Sequence, residues 1–165
     1  MFEMGEIVHH DNLKFNDNNY DQKKNRPCVV LFSIQREDRQ LICTAPLTSS
    51  VNSFNKRPSR YCLIPEVVHN YKKLSFVNLE HVAFHTDHDT ESVGIHIGKD
   101  VVSNILDRFK RYKPHTEGLQ TVYDEVIKYI SYIELFDEID QRETQREEKY
   151  IRKLKRKQSK KGIIN

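Results

Sequence analysis

At 165 residues the chain has room for one domain and an appendage, and no apolar run approaches the ~20 residues that a membrane-spanning helix needs. Hydrophobic residues make up 37% and charged residues 31%, which points to an ordinary core joined to a highly charged segment. The net charge of +3 conceals a division: residues 141–165 hold ten Lys/Arg and three Asp/Glu, or +7, which leaves −4 for residues 1–140.

In chain order, Gly5 to His10 reads as a short first strand. Residues 11–25 are polar, rich in Asn and Asp and without periodicity, so they read as a loop long enough to carry function. Pro27 to Ile34 is a continuous apolar run, as expected of a buried strand. Arg36 to Arg39 reads as a charged turn and Leu41 to Ala45 as the return strand of a hairpin, with Pro46 expected to end the pairing. Thr48 to Ser59 reads as a polar loop. Tyr61 to Ile64 is a short strand closed by Pro65. Leu74 to Phe84 reads as one strand, and Val93 to Ile97 as another. Five or six short strands separated by polar loops argue a small barrel or sandwich.

The rest is helical. Val101, Val102, Ile105, Leu106 and Phe109 fall at helical spacing. Pro114 and Gly118 read as punctuation. Leu119, Val122, Val126, Tyr129, Ile133 and Phe136 then step by three and four, which suits either a short coiled-coil seam or a helix packed on its own barrel. Beyond Asp140 only Ile151 and Leu154 break the charges. This tail reads either as a phosphate-binding segment or as a solvated helix end. The division expected from these patterns is a barrel domain over 1–113 and a helical extension with a basic tail over 114–165.

Cys28, Cys43 and Cys62 show no CxxC spacing, and the first two sit inside apolar runs. With an odd cysteine count and no secretory leader at the start, the expected setting is a reducing cytoplasm. His85, Asp87, His88 and Asp89 form an HxDHD cluster, which we read as a loop rather than a metal site. No metal and no cofactor is expected.

Four stretches share a pattern. They are Gly5-Glu6-Ile7-Val8 with Asp11; Asn25-Arg26-Pro27-Cys28-Val29-Val30-Leu31; Ala45-Pro46-Leu47-Thr48-Ser49-Ser50; and Ser75-Phe76-Val77-Asn78-Leu79-Glu80-His81-Val82. In order and approximate spacing they resemble the MazF/PemK family of toxin endoribonucleases from type II toxin–antitoxin systems. The resemblance covers residues 1 to about 113. It implies an α+β chain with a small SH3-like β-barrel, usually a homodimer. It also implies metal-free cleavage of single-stranded RNA and inhibition by a cognate antitoxin. The family's active-site arginine falls on Arg26 and its threonine on Thr48. The family's first loop carries glycines, whereas residues 14–24 here carry none. That departure opens an alternative: a barrel of the same descent that no longer cuts and instead binds nucleic acid or protein.

The chemistry of these residues suits the implied reaction. RNA carries its own nucleophile, the ribose 2′-OH. The protein must align the reacting atoms, stabilise charge on phosphorus and move two protons. Arg26 offers a permanently charged planar fork and Thr48 a hydroxyl donor. His9 or His10 is the candidate proton shuttle; because neighbouring strand residues face opposite ways, at most one of them points to the site. Asp11 and Asp21 are further candidates. Lys23, Lys24, Ser49, Lys56, Arg57 and Arg60 are candidate RNA contacts, with Tyr20 and Phe54 available either to stack bases or to anchor the core.

Overall fold

A computed structural model describes residues 1–10, 27–49, 51–64 and 75–161. The loop expected over 11–25 lies outside these residues, together with Arg26, Lys23, Lys24, Asp11, Asp21 and Tyr20. By internal contacts the chain divides into two compact units, Met1–Tyr123 and Asp124–Asn165.

The first unit is an antiparallel sheet with helices, an α+β arrangement. Its strands are β1 (Glu6–His10), β2 (Pro27–Arg36), β3 (Arg39–Thr48), β4 (Tyr61–Ile64), β5 (Ser75–Asn78), β6 (Ala83–Thr86) and β7 (Thr90–His96). Neighbours run β4-β5-β3-β2-β1-β7, and β6 also pairs with β3. Gly5 opens β1 with a positive φ, and a Cβ there would meet the carbonyl oxygen of Ile97. Its amide donates to Val30 O and its carbonyl accepts from Ile97 N, both at 2.8 Å. The glycine of the first motif thus lets three segments converge.

The hairpin is longer than its pattern suggests. β2 and β3 run from Arg36↔Arg39 to Cys28↔Pro46, so Pro46 does not end the strand. On its other side β3 pairs with β6 over Leu41–Thr44 and with β5 over Leu47–Thr48. Pro46 falls in the gap between those two ladders, where a missing N–H is tolerated.

The segment 74–84 is likewise not one strand. Asn78 accepts from Glu80 N through its side chain, and a 3₁₀ turn over Leu79–His81 separates β5 from β6. The expected loop 48–59 holds helix α1 (Val51–Lys56) and a 3₁₀ turn over Pro58–Arg60. Its single aromatic, Phe54, stacks on Phe76 of β5 at 4.6 Å and is an anchor of the fold.

The sheet is rolled. β1 and β6 are three ladders apart, about 14 Å in a flat sheet, yet the rings of His10 and His85 stack at 3.7 Å. Register shifts at Ile7/Val8 and at Val30/Phe32 supply local twist. Inside lie Val8, Cys28, Val30 and Ile42, with Phe2 packed against them.

Helix α2 (Lys99–Arg111) buries Val101, Val102, Ile105 and Phe109 on one face. Helix α3 (Glu117–Lys161) starts after Thr116, whose hydroxyl accepts from Leu119 N, so Gly118 lies within its first turn instead of before it. Its early part is held by Tyr123, whose hydroxyl donates to Lys110 O at 2.7 Å. In the second unit α3 exposes Tyr132, Leu135, Phe136 and Ile139, and further on Tyr150, Ile151 and Leu154. Glu138–Arg142 and Glu148–Arg152 pair at i,i+4. No helix among the described residues is long and apolar enough to cross a membrane.

Candidate functional site

Strand register brings His9, Pro27 and Thr48 to one end of the sheet. Pro27, which follows Arg26 by one peptide bond, opens β2 and faces His9 across the ladder. Cys28 faces Pro46, so the start of β2 and the end of β3 share that end. Thr48 closes β3 there, half-buried and opposite Phe76, with Ser49 exposed beyond it.

The two histidines divide. His10 is 2% exposed and points inside. Its Nδ1 lies 3.0 Å from Thr90 Oγ1, and its Nε2 3.1 Å from Thr44 Oγ1. The Thr90 hydroxyl already donates to Thr86 O at 2.8 Å, so at His10 it accepts. The imidazole therefore carries its proton on Nδ1, and Nε2 accepts from Thr44. Burial, reinforced by the His85 ring stacked on it, lowers the His10 pKa to about 4. Burial also lowers the pKa of His85. His10 is thus a neutral part of the interior, and His9, on the opposite face of β1 and next to Pro27, is the histidine left at the strand ends.

His85 Nε2 and Asp87 Oδ1 are buried without a hydrogen-bond partner among the described residues. Among those residues no group of three or more His, Cys, Asp or Glu is arranged to hold a metal.

Lys56 and Arg57 are exposed at the end of α1 and just after it. Arg60 is engaged: its Nη1 meets Glu80 Oε2 at 2.9 Å, with the side chains 17% and 15% exposed. His115 Nε2 approaches the other oxygen of Glu80 at 3.3 Å. Beside this pair opens a cavity of about 540 Å³ lined by Ser59, Arg60, Arg108, Arg111, Tyr112, Lys113 and His115. All but Arg60 were missed from sequence. The signal was present as the run Arg108-Phe109-Lys110-Arg111-Tyr112-Lys113-Pro114-His115, but cations in the last turn of a helix are also what its dipole favours, and the run does not say what faces it.

Compared with models of known protein families and with curated proteins, the sequence matches none.

Proposed function

We propose that the chain is a MazF/PemK-like endoribonuclease with an SH3-like barrel, cutting single-stranded RNA without a metal. The observation that carries this reading is the convergence of His9, Pro27 and Thr48 at one end of a rolled antiparallel sheet. In this reading the 2′-oxygen attacks the adjacent phosphorus as a base removes its proton. The P–O5′ bond breaks, and the 5′-oxygen takes up a proton. The products are a 2′,3′-cyclic phosphate and a 5′-hydroxyl. Arg26 stabilises the charge gathering on the non-bridging oxygens, and Thr48 donates to one of them. His9, which faces Pro27, is the proton shuttle, because His10 is sealed in the interior. The basic tail adds sequence-independent attraction to phosphate. A homodimer and a cognate antitoxin complete the proposal, with the exposed apolar side chains of α3 as a surface for a protein partner.

The test is cleavage of a long single-stranded RNA in excess EDTA. The wild type is expected to cut and to leave cyclic-phosphate ends, and Arg26→Ala to cut roughly 10²–10³-fold more slowly. RNA that is bound and never cut would replace this reading with that of a non-catalytic binding barrel.

A further inference from the structure

The basin beside Arg60 has no part in the reaction just described, and its composition needs a reason. Arg108, Arg111 and Lys113 are exposed, and none is paired with a carboxylate among the described residues. Arg111 Nε donates to the Asp107 carbonyl, and Arg108 Nη2 reaches Pro58 O at 3.5 Å. The helix dipole accounts for cations at the end of α2. It does not account for Arg60, which arrives from the 3₁₀ turn ahead of β4. Nor does it account for Tyr112, whose hydroxyl is buried with no hydrogen-bond partner among the described residues. A buried hydroxyl is costly to leave unmatched. Burial and the nearby Glu80 raise the Tyr112 pKa, so this hydroxyl stays a donor.

Two guanidinium forks and an ammonium around one open basin match a phosphate group. The basin is open and rimmed by cationic side chains, unlike the enclosed pocket that a small metabolite takes. Tyr112 is buried and offers no platform for a base. The basin's position suits a strand that passes across it. Thr48, Phe76 and Leu63 lie in one row over three adjacent strands. Arg60 directly precedes β4, two strands across from Thr48. Lys56 and Arg57, between them in sequence, are exposed as well.

We propose that this basin is a phosphate-binding site that takes the sugar–phosphate backbone of single-stranded RNA and holds it without regard to sequence. The choice of ligand rests on the ribonuclease reading; the site itself does not.

The experiment uses the full chain with Arg108 and Arg111 both changed to Gln. Melting in inorganic phosphate against chloride of equal ionic strength tests the site. The wild type is expected to gain melting temperature in phosphate and the double variant to lose that gain. Melts without phosphate confirm that the exposed substitutions leave the fold intact. Fluorescence anisotropy of short RNAs of differing sequence, in an Arg26→Ala background that spares them from cutting, tests the ligand. Removing two phosphate contacts is expected to flatten the slope of log affinity against log salt by about 1.4 for every sequence. An unchanged phosphate effect overturns the site. Loss of the phosphate effect with an unchanged RNA slope, or no RNA binding at all, overturns the RNA backbone as ligand and leaves a site for free phosphate. A flattened slope in a protein that never cuts RNA upholds this site while the ribonuclease reading fails.

Discussion

His10 and His115 are histidines of one sheet unit, each within hydrogen-bond range of other side chains, and they serve opposite ends. His10 is sealed among Thr44, Thr90 and His85, with hydroxyls on both ring nitrogens and its pKa driven to about 4. His115 is exposed, at the rim of a basin where cations from two elements outnumber the single carboxylate, Glu80. The same residue type becomes scaffold where burial forbids charge, and part of a charged surface where water reaches it. The lesson for reading such a chain is that burial, rather than residue identity, separates structure from site. The first cluster belongs to stability and the second to binding.

The largest effect expected from this division is that of His10→Ala. It removes a stacked ring from the interior and leaves the Thr44 hydroxyl without its acceptor. A loss of about 3–5 kcal/mol is expected, read from the midpoint of urea unfolding. A loss below about 1 kcal/mol, typical of surface changes, would erase the contrast between the clusters.

Acid should act on the same cluster. The folded chain holds His10 at about 4, against an ordinary value of 6.5, so the unfolded state binds a proton that the folded state refuses. Stability is therefore complete above about pH 6.5 and falls as pH drops from 6.5 to 4. The fall from 6.5 to about 4 corresponds to about 3 kcal/mol at the low end. His85, also held below its ordinary value by burial, acts in the same direction, while the Asp89 carboxylate opposes the loss at both rings. Urea midpoints measured across this window, compared with those of His10→Ala, isolate the histidine's share. Parallel profiles for the two proteins would mean that His10 is not the group responsible.

How far these clusters could be foreseen depends on the range of their contacts. The strands 27–34 and 61–64, the hairpin and α2 follow from local apolar runs and periodicity, and all are present. What failed was set by partners distant in sequence. Pro46 is tolerated because β5 and β6 leave a gap opposite it. Helix α1 holds through Phe54 on Phe76, 22 residues away. The His10 interior needs residues 34, 75 and 80 positions along the chain, which no spacing rule connects. The strand-end cluster was more legible because Pro27 and Thr48 sit at the two open ends of one hairpin. The basin was least legible, since its cations gain meaning only once Arg60 is brought to α2.

Arg60 stands between the two classes and gives the sharpest, smallest test. It lines the basin, yet its guanidinium is tied at 2.9 Å to a carboxylate that is mostly shielded from water. Removing one partner of a fully buried pair costs about 3–5 kcal/mol, because the other charge is stranded. Here His115 remains beside Glu80, and both side chains keep some water contact. For Arg60→Gln the expected loss is therefore smaller, about 1–2 kcal/mol. In a double-mutant cycle with Glu80→Gln, much of that loss should be recovered, since the stranded carboxylate is then gone. A neutral Arg60→Gln that nonetheless flattens the salt dependence of RNA affinity would move Arg60 fully into the binding surface. The ion pair with Glu80 would then serve to aim the guanidinium at the ligand, and the boundary between scaffold and site would run through Glu80.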